Sequence, residues 1–381
     1  MRWDNLRLGG PDPQPALLER DAVPVASGTG ALKTRTFDTP GFRGMTFYEI
    51  QAKSIVSRVP EASRMPFTWT INPYRGCQHA CSYCYARNSH TYLDLDAGED
   101  FNRKVIVKVN APELLRARLA SPGWRGEPIA MGTNVDCYQR AEGRYRLMRP
   151  IIEALRDAAN PFSILTKGTL ILRDLDLLGE AAEVTEVGLN VSAGFVDPGL
   201  WRSIEPGTPA PERRLDTCAA LGDAGLPCGV LMGPVVPFLS DSPAQLDATV
   251  RRIAEAGATH VTPIVLHLRP GTREWFMSWL RAEHPELGGR YAALYRGGSY
   301  ARRDYQESIT ARVRELADRY GVGRRGAPAG KGSARTGSAR KGSARTGSGS
   351  GRGSGRSGPR QTPGQGQPSP EPPASEQLTL L

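Results

Sequence analysis

Asn72–Arg87 reads NPYRGCQHACSYCYAR, and Cys77, Cys81 and Cys84 sit within it at the spacing C-x3-C-x2-C. Thiolates this close converge readily on one metal centre, and iron–sulfur clusters are held by such groups. A closed structural centre asks for four ligands, so a three-cysteine site leaves one position open to chelate something small. The aromatic Tyr83 before the last cysteine completes C-x3-C-x-Φ-C, with Φ aromatic. A zinc site of three cysteines and a borrowed ligand such as His79, a plain cluster carrier, or three buried free thiols are the alternative readings of the same residues.

The chain has 381 residues, enough for one large domain with extensions. Six cysteines in this length make no disulfide framework. Thiolates for a cluster need a reducing compartment, so a cytoplasmic protein is expected. Met1–Gln14 is polar and lacks the apolar run of a signal peptide. The longest uncharged stretch, Ala224–Ser240, carries Pro227, Pro234 and Pro237 and reads as strand and loop, so no membrane segment is expected. The net charge of +10 is uneven, because ten Lys/Arg and only two Glu lie in residues 321–381. The body is nearly neutral and the tail is basic.

Short apolar runs alternate with amphipathic helices from Phe67 onward. Strands are expected at Phe67–Ile71, Val105–Val109, Pro128–Met131, Phe162–Leu165, Glu186–Val191, Gly229–Met232 and His260–Leu266. Pro112 suits a helix start, and Pro150 starts or kinks the helix marked by Ile151, Ile152 and Leu155. Ser242 and Pro243 open a helix with Leu246, Val250 and Ile253 on one face, which Gly257 ends. This alternation predicts an α/β fold with a parallel sheet, a partial or full βα-barrel whose chemistry sits at the C-terminal strand ends. Residues 1–60 read as an N-terminal extension with one helix between residues 35 and 59 and no chemistry of its own. Residues 61–285 read as the barrel, 286–320 as a helical closure, and 321–381 as a tail. The tail's repeat, KGSARTGSAR at Lys331–Arg340 and KGSARTGSGS at Lys341–Ser350, has no aromatic residue and is predicted to be disordered.

The cysteine signature resembles that of the radical S-adenosylmethionine (SAM) enzymes. The resemblance implies a partial (β/α)6 TIM-type barrel and a [4Fe–4S] cluster on Cys77, Cys81 and Cys84. It also implies SAM on the open iron, reductive cleavage of SAM by a reductant such as flavodoxin or ferredoxin, and hydrogen abstraction from a substrate. Within that superfamily the chain is similar to spore photoproduct lyases, which repair DNA. They share a tyrosine on each side of the last cysteine, matched by Tyr83 and Tyr85, and strand ends matched by Thr133–Asp136, Thr166-Lys167 and Asn190–Ser192. A closer likeness is to a group of bacterial radical SAM proteins carrying INPYRGC, YCYAR, YLDLDAG, GTNxDxYQ and RDLDLL. These stand here at Ile71–Cys77, Tyr83–Arg87, Tyr92–Gly98, Gly132–Gln139 and Arg173–Leu178. Tyr83, Thr133, Asp136, Lys167, Asn190 and Ser192 are therefore the expected SAM-site residues, with the Lys167 ammonium set against the SAM carboxylate. The bland readings are a helix cap for Asp136 and a solvated rim charge for Lys167. The lyases' hydrogen-donating cysteine is replaced by Thr133. Cys137 lies nearby but out of register, as a donor or a buried thiol, while Cys218 and Cys228 read as core.

The basic tail suits phosphate neutralisation or a plain solvated linker. Its end, Gln377-Leu378-Thr379-Leu380-Leu381, resembles the peptide with which repair proteins dock on the bacterial sliding clamp. DNA and the clamp are the expected partners, with DNA repair or modification as the expected role. Modification of RNA, protein or a small metabolite, and a non-catalytic iron–sulfur adaptor at the clamp, are the alternatives.

Overall fold

The computed structural model describes residues 33–60, 65 and 67–323, so the low-complexity tail and Gln377–Leu381 lie outside the described residues. In chain order the strands are β1 Lys33–Arg35, β2 Thr46–Ile50, β3 Val56–Arg58, β4 Trp69–Ile71, β5 Tyr74–Arg75, β6 Lys104–Lys108, β7 Ile129–Met131, β8 Phe162–Thr166, β9 Val187–Ser192, β10 Cys228–Val235 and β11 Val261–Val265. The larger sheet has the order β11-β10-β9-β8-β7-β4-β3. Its strands from β4 to β11 are paired in parallel, and β3 adds antiparallel to the β4 edge. The two edges, β11 and β3, do not pair with each other. The fold is α/β, a partial barrel of six parallel strands left open along one side.

Side chains alternate along each barrel strand. Phe162 and Ile164 of β8, Leu189 and Val191 of β9, and Val230 and Met232 of β10 join the main hydrophobic core. The intervening positions on the other face carry Ser163, Gly188, Asn190, Ser192 and Gly229, which are small or polar, together with the half-buried Leu165 and Leu231. A Cβ on Gly132 would stand 1.8 Å from the Leu165 carbonyl oxygen, and its φ of +75° suits glycine, so the turn after β7 packs directly onto β8.

The helices follow their sequence signals. Helix Pro243–Glu255 starts on Ser242, whose side chain accepts from the Gln245 amide in a capping box. The closing helix Arg303–Tyr320 buries Ile309, Val313 and Leu316 and ends at Gly321 in the left-handed conformation. Pro150 lies in the first turn of helix Met148–Asp157, where a missing N–H costs nothing.

Two expectations are corrected. Between residues 35 and 59 there is no α-helix. The segment forms β2 and β3 with a short 3-10 turn at Pro40–Phe42. Phe47 and Ile50, three apart, fit a helical as well as a strand pattern. The alternation decides for the strand, because Phe47 enters the main core while Tyr48 and Ile50 join a second cluster with Leu93, Leu95 and Ile106. The run Val105–Val109 is a strand, as expected, but not a barrel stave. As β6 it joins a separate sheet of order β1-β2-β6-β5, with Val105 and Val107 toward the main core and Ile106 toward the second cluster.

On this second sheet Lys108 lies beside Arg75, and burial together with that neighbouring guanidinium pushes the Lys108 ammonium down to about 8. Below pH 8 folded and unfolded chains both carry the proton, so the desolvation penalty is fully present. As pH rises from 8 toward 10.5 the folded state sheds the proton first and the penalty fades, so stability climbs. Lys108→Met is expected to raise stability at pH 7 by about 1–2 kcal/mol and to flatten that alkaline rise. Urea unfolding across pH 7–10 reads both effects.

Candidate functional site

The cysteine loop leaves β5 through Gly76, whose φ is +85° and whose Cβ would stand 2.8 Å from the Lys104 carbonyl and 2.9 Å from the His90 ring. The Cys77 amide donates to the Phe101 carbonyl at 3.0 Å, and the Ser82 amide to the Ile204 carbonyl at 2.9 Å. Gln139 clamps the loop like an added backbone strand. It accepts from the Gln78 amide at 3.1 Å and donates to the Gly76 carbonyl at 3.0 Å. Cys77 and Cys81 are buried and Cys84 is half-buried; all three are free thiols. Burial pushes all three thiols up, Cys81 to about 12. Metal ligation at such a site releases protons.

Arg87, fully buried, organises the loop. Its guanidinium donates to the Cys81 carbonyl at 3.2 and 2.9 Å, to Ala97 and Gly98 carbonyls at 3.1 and 3.0 Å, and to Asn102 at 3.0 Å. It lies against Phe101 and Trp275, 5.2 and 4.6 Å from their ring centroids. Burial draws its pKa down, and the sulfurs of Cys84, Cys81 and Cys77 act in the opposite direction. Among the described residues no carboxylate is paired with it. Glu99 offsets the burial only through the field, and a buried cation without a paired anion is costly, so three anionic thiolates would complement this loop.

The other cysteines stand apart from this set. Cys137 is buried in the main core, and the Cys218 thiol donates to the Cys228 carbonyl at 3.6 Å. Among the described residues no three His, Cys, Asp or Glu side chains are gathered as a single metal ion would hold them. His79 instead places Nδ1 3.4 Å from Asp136, and burial pushes its imidazole down to about 4, so it is neutral at pH 7. Three thiols beside an unpaired buried guanidinium fit an iron–sulfur cluster.

The barrel brings most of the other sequence-predicted residues to the same end. Lys167 Nζ donates to Ser192 Oγ at 2.6 Å and lies 5.9 Å from the centre of the Tyr83 ring. Ser192 Oγ reaches the Gly233 carbonyl at 3.0 Å. Asp136 is engaged with the protein itself, accepting from Thr166 Oγ1 and the Lys167 amide, both at 2.6 Å, and from the Tyr138 amide at 2.9 Å. It holds the strand end that carries Lys167. Thr133 meets Thr70, hydroxyl to hydroxyl, at 2.7 Å. Asn190 stands two residues before Ser192 on the same face of β9, beside Gly229 and the His260 ring.

A pair absent from the sequence expectations completes the site. Tyr83 donates its phenol to Glu205, which is itself paired with Arg214. Both partners of the pair are buried, and Arg214 also donates to the Ser192 carbonyl at 3.2 Å. Burial raises the Glu205 carboxyl, but Arg214 and Lys167 overturn it and hold the group ionised. Burial, followed by Cys81 and Glu205, keeps Tyr83 protonated. Glu205 caps the C-terminal end of helix Pro198–Ile204 and Arg214 lies in the first turns of helix Pro211–Asp223, places where a Glu or Arg is ordinarily a surface residue. No spacing signal marks them.

The family model of the radical SAM superfamily matches residues 71–247. An uncharacterized protein of Mycobacterium tuberculosis strain H37Rv is 50% identical over 286 residues, covering 75% of this chain and 84% of that protein. An uncharacterized protein of Methanocaldococcus jannaschii is 32% identical over 195 residues, covering 51% of this chain and 69% of that one. Spore photoproduct lyase complexed with dinucleoside spore photoproduct is similar in fold, with a TM-score of 0.55 at 14% identity over 73% of this chain and 80% of that chain. A mutant of that lyase with bound AdoMet and dinucleoside spore photoproduct gives a TM-score of 0.54 at 14% identity over 68% of this chain and 76% of that one. The chain belongs to the radical SAM superfamily. Membership implies SAM and an iron–sulfur cluster as its cofactors. Among the described residues no helix is long and apolar enough to cross a membrane.

Glu205→Gln is expected to cost about 3–5 kcal/mol, because it strands a buried guanidinium. Adding Arg214→Met should return most of that loss. Urea midpoints of the two variants measure it, and equal midpoints would show the pair to be immaterial.

Proposed function

We propose that the chain holds a [4Fe–4S] cluster on Cys77, Cys81 and Cys84 and uses it to cleave SAM reductively, taking a hydrogen atom from a DNA substrate. The observation that carries this reading is the meeting of the three-thiol loop with Lys167, Ser192 and Tyr83 at one end of an open barrel. When bound, the reduced cluster supplies the electron that splits SAM into methionine and a 5′-deoxyadenosyl radical. Lys167 answers the SAM carboxylate as a point charge. Ser192, fixed on the Gly233 carbonyl, holds the Lys167 ammonium in place. Asn190 and Thr133 offer polar groups along the interior for the ribose. Asp136 acts one step back, by fixing the Lys167 backbone. Tyr83, pinned by Glu205, walls the pocket beside Cys84.

Incubating the anaerobically reconstituted protein with dithionite and SAM is expected to release 5′-deoxyadenosine. Lys167→Ala should raise the SAM concentration needed about tenfold or more while leaving iron content unchanged, the loss of one charge-assisted contact. A protein that binds iron but releases no 5′-deoxyadenosine would be an adaptor and would overturn this reading.

Two features support DNA as the substrate: the fold shared with a lyase that binds a dinucleoside photoproduct, and the ten Lys/Arg of residues 321–381. The Gln377–Leu381 peptide supports tethering at the sliding clamp, where an apolar hook on a long polar linker raises local concentration. Deleting these residues is expected to abolish binding to purified clamp in a pull-down. Undiminished binding would refute the tether.

A further inference from the structure

The second sheet adjoins the end of the barrel that carries the cysteine loop. Two residues separate β4 from β5, and Gly76 follows β5 directly. Along β6, Lys104, Ile106 and Lys108 alternate onto one face. Arg75 of β5 stands opposite Ile106 in the antiparallel register, and the Lys108 amide donates to the Pro73 carbonyl at 3.0 Å. Residues opposite each other share a face, so Arg75 and Lys108 are diagonal neighbours within reach of long side chains. Both are half-buried, at the border of the apolar cluster of Tyr48, Ile50, Leu93, Leu95 and Ile106.

The fold treats the two lysines of this row differently. Lys104 is given an acid, because its ammonium meets Asp100 at 2.9 Å. Burial draws the Lys104 pKa down, but Asp100 overturns that and the group ends raised. Lys108 is given the Arg75 guanidinium instead, and burial together with that neighbour pushes it down to about 8. Around Arg75 stand Lys108, the Tyr92 phenol and the His90 imidazole, none of them an acid. Among the described residues no carboxylate is paired with Arg75 or Lys108. Two like charges, partly out of water and without an anion, cost stability. An anion from outside that took a hydrogen bond from each would remove that cost. Arginine offers a planar fork and lysine a compact point charge, and both are phosphate-binding groups.

We propose that Arg75 and Lys108 form a phosphate-binding site on the second sheet and grip a backbone phosphate of the DNA substrate beside the barrel mouth. The proposal rests on the DNA reading above and deepens it. The site is separate from the cofactor pocket, whose cation is Lys167. A phosphate carries no sequence information, so the contact positions the strand and does not select it. Arg75 is two residues from Cys77, so a phosphate held there sets the register of the strand against the cysteine loop. An acidic peptide offers the same charge, and the test separates the two.

The test uses the full-length, cluster-loaded protein and a fluorescein-labelled oligodeoxynucleotide duplex, titrated by anisotropy over a range of salt concentrations. Arg75→Gln and Lys108→Met should each weaken binding about fivefold or more and lower the log–log salt slope by about 1, the loss of one phosphate contact. Arg303→Gln, which removes an exposed charge from the closing helix, should change affinity less than about twofold. Lys108→Met is also expected to gain stability, so weaker binding at a higher urea midpoint is not loss of fold. A second readout is local. Acetylation of Lys108 by an amine-reactive ester, followed by peptide mass spectrometry, should slow severalfold with the duplex present and not with polyglutamate. If polyglutamate protects Lys108 and the duplex does not, the site takes an acidic peptide and the proposal falls. If wild-type protein binds the duplex while both variants bind within about twofold of it and Lys108 is unprotected, the site is wrong and the DNA reading stands. If wild-type protein binds no DNA, the DNA reading falls and takes the phosphate site with it.

Discussion

The Arg87 guanidinium is the constraint on which the rest of this structure depends. It is sealed beneath Phe101 and Trp275, and its hydrogen bonds all end on loop carbonyls and Asn102. None of them ends on a carboxylate. A buried positive charge in that state is tolerable only if something anionic faces it. The three sulfurs around it are the nearest candidates, with the Glu99 carboxylate acting in the same direction. One side chain therefore does two things: it folds an irregular loop onto the barrel, and it opposes the burial that pushes the Cys84 thiol up.

The same loop also answers a problem of architecture. A barrel of six strands leaves β11 and β3 as unpaired edges. The polypeptide after β11 crosses to the cysteine loop, through Thr272 to Cys84 and through Trp275 to Arg87. The cysteine loop and the far end of the sheet are thus mechanically joined. Glu205 and Arg214 form a second joint, linking Tyr83 to the end of β9 through the Ser192 carbonyl. Near the second joint the Lys167 ammonium is held by the Ser192 hydroxyl, and among the described residues no carboxylate forms an ion pair with it, Glu205 acting on it only through the field. Such a charge is available to a carboxylate from outside the protein.

Much of the barrel was legible in the sequence because its strands are short apolar runs bounded by turn residues. Each expected run from Phe67 onward contains or overlaps a strand. What periodicity could not say is which sheet a strand joins. Val105–Val109 has the composition of a barrel stave, yet its partners are β5 and β2, the latter a strand from a segment read as helical. The partner of a strand depends on surfaces distant in the chain, and no local pattern records them. The same holds for Asp136. Its place in the motif suggested a ligand, but its oxygens are engaged with Thr166, Lys167 and Tyr138.

The sequence by itself determined the chemistry that the chain can attempt. Cysteine spacing is local, three thiols within eight residues must share one neighbourhood, and the strand-end residues lie where the alternation of strand and helix puts them. Only the tertiary structure decided what surrounds those thiols. Arg87, Gln139, Glu205 and Arg214 act through burial and through partners up to 122 residues away. Burial is what turns an ordinary arginine or glutamate into a fixed charge, and it is a property of the assembled core, not of any stretch of the chain.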